Sequence, residues 1–335
     1  MPGEPSFDVA GVGNAIVDVL CHATDDLIES LGLQRDVMQL VEEEESRRIY
    51  DRMPPSQEIS GGSAANTMVG IASFGGDGIF LGKVRDDQMG EVFRHDIRAA
   101  GVTFQTAAAT SGPSTARCLV LVTHDAHRTM NTYLGAARGL TSDDIDAEAA
   151  AVAGSQVTYL EGYLWDDERA KAAMLRAIDV AKGAGRRVSM TLSDPFCVDR
   201  HRDDFMRLID DHVDVLFANE DEITSLFQVS TFDDALQAIR SHRCEYAALT
   251  RSAKGSVVVK GDEFHVIDAV AVDEVVDTTG AGDLYAAGFL YGLTHGHDVA
   301  TCGRLGSLAA AEVITHIGAR PQRSLKDLAV EAGLL

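Results

Sequence analysis

The stretch VVDTTGAGDLYAAGFLYGL, residues 275–293, sets two glycines and a carboxylate at the mouth of an apolar, helix-like run. Glycine lets a bound group approach the backbone because no Cβ intervenes. The first N–H groups of a helix have no intrahelical partner, and the helix dipole adds positive charge there. Such an end attracts anions, phosphates above all. For the isolated motif, the plainer reading of Asp283 as an N-terminal capping carboxylate comes first. The short motif alone decides nothing, and the rest of the chain has to.

Outward from this stretch, strand-like runs alternate with helical ones. FDVAGVG, GIFLGKV, QVTYLEGYL, RRVSMTLSD, VDVLFANE and EYAALTR are separated by SAANTMVGIASFG, DQMGEVFRHDIRAAG, ERAKAAMLRAIDVAKGAG, DDFMRLIDD and FDDALQAIRSH. Alternation of this kind predicts an α/β fold, a mostly parallel sheet with helices on both faces. Several strands are continuous apolar runs, as buried parallel strands are. The pieces AIVDVLCHA, DVMQLV, SQEISGG, VTFQTAAAT and TARCLVLVTHD break the alternation and read as a small accessory β-sheet. One domain is expected over residues 1–335, with a discontinuous lid from about 15–60 and 102–135. The tail GARPQRSLKDLAVEAGLL reads as a loop and a short helix.

A net charge of −23 argues against nucleic acid and against anionic membrane surfaces as partners. An anionic substrate would need local positive charge from helix ends, a metal and a few cations. Five scattered cysteines without a CxxC pair suggest reduced thiols. The N-terminal stretch has neither a basic nor an apolar leader segment, and no run reaches the ~18 apolar residues of a membrane span. A cytoplasmic location is the expectation.

Familiar phosphate-binding patterns are absent. Gly82-Lys83 is followed by Val84 and has Asp77 where a P-loop needs its first glycine; Gly11-Val12-Gly13 lacks the third glycine of a dinucleotide fingerprint. There is no GxSxG elbow and no HExxH pair. A second glycine-rich segment, GGSAANTMVGIASFGG from Gly61, supplies the context. Together with DTTGAGD it resembles the two signature segments of the ribokinase-like (phosphofructokinase-B type) carbohydrate kinases. GVGNAIVDVL, FANEDE and LTRSAKGS follow in family order. Within the family, HRTMNTYLGAA, TLSDPF and VLFANEDE look most like their counterparts in the adenosine kinases.

The resemblance implies transfer of the ATP γ-phosphoryl group to a hydroxymethyl oxygen. The first acceptor it suggests is a purine nucleoside, adenosine giving AMP; a free sugar or sugar acid (ribose, fructose, 2-keto-3-deoxygluconate) is the alternative. A non-catalytic nucleoside-binding protein is a remote third reading, disfavoured by the retained Asp283. By resemblance, Asp283 is the general base and Gly280, Ala281 and Gly282 form the anion hole. Asp18 matches a carboxylate that grips substrate hydroxyls, though a turn cap is its plain alternative. Gly61, Gly62 and Asn66 match the substrate segment, and Gly61-Gly62 is placed as a hinge between lid and core. Asn219 and Glu222 match a motif that organises Mg2+ through water, against the plainer reading of Glu222 as a first-turn glutamate. Thr250 and Gly255 match the nucleotide loop, where Ser252 replaces a common glycine. Arg128 matches an arginine that reaches the transferring phosphates, with an exposed turn arginine as the alternative. Asp277 and the Thr279 carbonyl match the monovalent-cation (K+) loop of many members, whose third side near Gly318 is left unassigned. The family includes monomers and lid-mediated homodimers, and the sequence leaves both open.

Overall fold

The computed structural model describes residues 5–35, 37–124 and 127–335. Asp36, which opens DVMQLV, Asp125, which closes TARCLVLVTHD, and the first four residues of the N-terminal stretch lie outside the described residues.

In chain order the strands are β1 (Phe7–Val12), β2 (Ile16–His22), β3 (Met38–Leu40), β4 (Gln57–Gly61), β5 (Gly78–Leu81), β6 (Thr103–Phe104) and β7 (Ala116–Val122). They continue with β8 (Arg128–Tyr133), β9 (Ser155–Glu161), β10 (Arg187–Thr191), β11 (Val215–Asn219), β12 (Tyr246–Thr250), β13 (Ser256–Lys260) and β14 (Glu263–Ile267). A nine-stranded sheet runs β14-β13-β12-β11-β10-β9-β1-β5-β6. It is parallel except for β13 and β14, which pair antiparallel at one edge. The large sheet buries apolar side chains on both faces, giving two hydrophobic layers. Phe74, Phe289 and Leu305 lie in one; Met174, Phe205 and Ile223 lie in the other.

Strand β1 sits between β9 and β5, so the chain turns to opposite sides of the sheet at this point. Crevices form beyond the carboxyl ends of strands at such a switch. Here that crevice receives Asn14 just past β1, Glu161 at the end of β9, Asn219 at the end of β11 and Thr250 at the end of β12.

The second sheet has the order β3-β8-β7-β2-β4. Alternation along β2 sends Val17, Val19 and Cys21 to one side, where they pack with Ile28, Leu31 and Ile49 of the helices Asp25–Leu31 and Glu43–Tyr50. Ile16, Asp18 and Leu20 point to the other side, into the crevice.

VTFQTAAAT does not belong to this sheet. Thr103 and Phe104 pair with Ile79 and Phe80 of β5 and extend the large sheet instead. The cause is burial: Phe104 packs edge-on to Phe93, 5.3 Å between centroids, and beside Phe80. The second lid segment therefore begins near β7 rather than at residue 102. The hairpin β13–β14 also escaped the sequence reading, although Val257-Val258-Val259 before Gly261-Asp262 is a β-branched run ahead of a turn. Among the described residues no helix is long and apolar enough to cross a membrane. Cys21, Cys118, Cys197 and Cys302 are buried thiols, and Cys244 is half-buried.

Candidate active site

The helix Ala281–Thr294 begins at Gly280, whose φ of 80° is left-handed. A Cβ there would lie 2.6 Å from Cβ of Ala319, so conformation and space both require glycine. The Ala281 N–H is taken by the Thr278 carbonyl at 3.2 Å. Gly282 and Asp283 occupy the first turn, where N–H groups lack intrahelical acceptors.

Asp283 does not cap its helix. It accepts hydrogen bonds from Ser63 Oγ at 2.6 Å and from Asn66 Nδ2 at 2.9 Å. Both donors lie on the helix Ser63–Phe74, which packs tightly against Ala281–Thr294: a Cβ on Gly70 would sit 2.5 Å from Cβ of Ala287. Burial raises the Asp283 pKa, while Ser63, Asn66 and the charge of Arg320 oppose the rise. A raised carboxylate pKa makes a better proton acceptor for an alcohol. Ser63 was not singled out from sequence, although it stands between the two glycines and Asn66.

Gly62 caps the helix Ser63–Phe74 with φ of 99°, and a Cβ on it would meet the Asn14 carbonyl at 2.2 Å. A Cβ on Gly61 would lie 2.3 Å from Oδ2 of Asp18. Gly61 thus makes room for the Asp18 carboxylate at the floor of the crevice, and Gly62 for the Asn14 carbonyl. Burial lifts the Asp18 pKa to about 6, against the pull of Arg320 and with a further push from Asp283. Beneath it, Arg320 donates to the carbonyls of Ser60 (Nε, 2.9 Å) and Ala65 (Nη1, 3.0 Å). Desolvation lowers Arg320 to about 10, still cationic at neutral pH. It supplies the local positive charge that the acidic composition calls for. Sequence reading had left Arg320 in a loop, and its only signal was a cation amid GARPQ.

Glu161 was missed as well. It accepts from Asn14 Nδ2 at 2.7 Å, from the Asn14 N–H at 3.3 Å and from the Ala64 N–H at 3.0 Å. Burial pushes it to about 7, the three hydrogen bonds pulling back. A glutamate ending an otherwise apolar strand was the available clue.

Arg128, on β8, crosses from the small sheet to the loop before the helix Ala281–Thr294. Its Nη1 donates to Thr279 Oγ1 at 2.8 Å, and its Nη2 contacts Asp277 Oδ2. Asp277 also accepts from the Thr279 N–H at 3.0 Å and from the Gly318 N–H at 2.8 Å. Arg128 is therefore no exposed turn residue, and Gly318 does reach the loop. These residues do not fit a monovalent ion on Asp277, because a guanidinium already contacts its carboxylate.

Just past β11, Asn219 and Glu222 form a reciprocal capping box. Glu222 accepts from the Asn219 N–H at 2.9 Å and from Nδ2 at 2.7 Å, while Asn219 Oδ1 accepts from the Glu222 N–H at 2.8 Å. The plainer reading of Glu222 is thus true of its geometry. Burial still raises it to about 7, with Asp194, Asp221 and Asp283 pushing the same way. Among the described residues no group of acidic, His or Cys side chains converges for direct metal ligation. An all-oxygen set of spaced carboxylates fits a magnesium ion that keeps its water shell. Thr250 ends β12 and Gly255 immediately precedes β13. Ser252, between them, has φ of 49°, the strained conformation that explains why glycine is common there.

Asp18, Asn66, Arg128, Glu161, Asp283 and Arg320 line a cavity of about 570 Å³ between the two sheets, whereas Asn219, Glu222, Thr250, Gly255 and Asp277 are not among its lining residues. Asn14, Asp18, Asn66, Glu161 and Asp283 make its polar floor. Ile16, Leu20, Leu40, Ile59, Val120 and Met130 make an apolar roof from the small sheet. Comparison with known proteins gives a consistent picture. The profile of the pfkB family carbohydrate kinases matches residues 27–325. An adenosine kinase of Saccharomyces cerevisiae is 27% identical over 326 residues, covering 92% of this chain and 94% of its own. The crystal structure of an adenosine kinase from Sinorhizobium meliloti is 48% identical with a TM-score of 0.90, covering 97% of this chain and 99% of that one. A probable sugar kinase from Rhizobium etli is also 48% identical, with a TM-score of 0.92 and coverage of 99% and 100%.

Proposed function

The chain belongs to the pfkB family of carbohydrate kinases and is a phosphotransferase with an alcohol acceptor; we propose that it phosphorylates the hydroxymethyl group of a purine nucleoside, adenosine first, with ATP as donor. Asp283 removes the acceptor proton as the new P–O bond forms. The N–H groups of Gly280 and Gly282 stabilise charge on the transferring phosphoryl oxygens, the Ala281 N–H being held by the Thr278 carbonyl. Asp18 accepts from ribose hydroxyls, and Asn66 holds Asp283 and presents Oδ1, a buried acceptor without a partner among the described residues. Mg2+, organised through water by Asn219 and Glu222, offsets the phosphate charge. Thr250 and Gly255 border the nucleotide. Ser63, Arg320 and Glu161 hold these groups in place.

The observation that favours a nucleoside over a free sugar is the roof. Leu40 is 55% exposed and Met38 45% exposed on the side of the small sheet that faces the cavity. A flat purine gains from such apolar cover, whereas a polyol would leave its hydroxyls without partners there. The outer side of the same sheet is already covered by its own helices, which favours a monomer over a lid-mediated dimer. The deciding experiment measures ATP consumption with adenosine, inosine, ribose, fructose and 2-keto-3-deoxygluconate side by side. Turnover of a sugar with none of either nucleoside would refute the nucleoside reading and leave the kinase chemistry intact.

A further inference from the structure

We infer that Arg128 is the cation of the anion-hole loop: the lid delivers a guanidinium onto Asp277, so phosphoryl transfer by this chain needs no monovalent metal ion.

The side chain of Asp277 is 3% exposed and that of Arg128 is 11% exposed. A carboxylate so buried needs a countercharge as well as hydrogen bonds. The hydrogen bonds come from Thr279 and Gly318, one to each oxygen. The countercharge comes from Arg128, which contacts Oδ2 through Nη2 and ties Thr279 Oγ1 through Nη1. One planar group thus grips two residues of the loop that leads into Gly280. A spherical ion on Asp277 would have to displace the guanidinium, and would then share the carboxylate with the Thr279 and Gly318 N–H donors, one on each oxygen.

The source of the charge matters for control. A metal ion equilibrates with solvent whatever the lid is doing. Arg128 sits on β8, so lid and loop order together, and Asp277 loses its countercharge whenever the small sheet lifts away. Arg128 is here a positioning residue, acting on the transferred group through the loop. The inference rests on the phosphotransferase assignment and is independent of which acceptor is used.

The test uses the full chain, ATP, Mg2+ and whichever acceptor of the panel is turned over, with potassium chloride replacing choline chloride at constant ionic strength. The expected result is a kcat that stays within about twofold across the series, alongside an unchanged thermal midpoint. Arg128→Ala is expected to lose about 10- to 100-fold in kcat, the scale of a charged hydrogen bond, and to recover in part with potassium or guanidinium but not with choline. Saturable activation of the unsubstituted protein by potassium would overturn the inference. So would loss in Arg128→Ala that neither ion relieves. If no acceptor in the panel is turned over, the thermal midpoint decides: stabilisation by potassium over choline overturns the proposal, and a flat response supports it.

Discussion

The nine-stranded sheet is covered by helices on both faces, whereas the five-stranded sheet is covered on one and faces the cavity with the other. Both are twisted sheets with buried apolar side chains, yet they carry different kinds of chemistry. The large sheet presents only strand ends to the site, and what it places there is polar and fixed: Asn14, Glu161, Asn219 and the helix start at Gly280. The small sheet presents a face, and apart from Asp18, Gln57, Arg128 and Thr132 that face is apolar. On the proposed function, the large sheet holds the reaction and the small one selects what is reacted and when. If that division is right, substitutions in the floor should act on turnover and those in the roof on acceptor affinity.

The largest effect is expected at Asp283. Asp283→Asn should lower kcat by about two to four orders of magnitude, the range of general base catalysis. The amide keeps the size of the carboxylate, so acceptor affinity should hardly change. Steady-state kinetics with a direct binding measurement separates the two. Near-normal turnover would remove Asp283 from the chemistry and collapse the comparison.

Asp18 belongs to the roof by strand and to the floor by function, which makes it the sharper probe. Asp18→Ala should weaken acceptor binding by about 1.5–3 kcal/mol, leaving ATP affinity nearly constant. The carboxylate is also pH-sensitive. With a folded pKa near 6, acceptor affinity should fall as pH drops through 6, because only the charged form accepts two hydroxyl protons. Stability moves the opposite way. A carboxyl whose pKa is raised on folding disfavours the folded state at pH values above that pKa and ceases to do so below its unfolded value. Asp18→Asn should accordingly stabilise the free protein at pH 7, by on the order of 1 kcal/mol after solvent screening. That gain should vanish near pH 4, an outcome thermal melts across the range would check.

The division between the sheets also explains what the sequence disclosed. Burial on both faces leaves continuous apolar runs such as VDVLFAN, and positive φ leaves glycines such as Gly62 and Gly280; both are local signals. The assignment of Phe104 to the large sheet depends on contacts with Phe80 and Phe93, which no local pattern encodes. Likewise Ser63 and Asn66 could be seen beside the glycines, but their meeting with Asp283, more than 200 positions away, is a product of helix packing. Arg320 and Glu161 were illegible for the same reason. They act by filling charge and hydrogen-bond gaps that exist only once the crevice has formed.

Motion should follow the same boundary. Gly61-Gly62 joins β4 to the helix that holds Asn66, and glycine tolerates the dihedral change a hinge needs. Binding of the acceptor is expected to slow amide exchange in residues 37–41 and 115–123 of the small sheet. ATP alone should protect mainly residues 250–285. An unaltered exchange pattern in the small sheet at saturating acceptor would sink closure while leaving the kinase chemistry standing.

The smallest effect is the most discriminating, because it concerns a single side chain that touches no charge. Leu40 lies on the edge strand β3, 55% exposed, with its side chain among the cavity-lining residues. Nothing in the fold requires leucine there: β3 is three residues long and pairs only with β8. On the proposed function, an apolar side chain left this open gains its burial from the acceptor. Leu40→Ala removes apolar area worth about 1 kcal/mol, or roughly fivefold in affinity, if a purine packs against it. The same substitution should leave kcat and the thermal midpoint unchanged, since it neither reaches Asp283 nor opens a core cavity. If a free sugar were the acceptor, its hydroxyls would gain nothing from Leu40, and Leu40→Ala would be neutral or slightly favourable. Calorimetric titration of adenosine and ribose into both proteins measures the difference, and equal adenosine affinity in the two would take the base off this side of the roof.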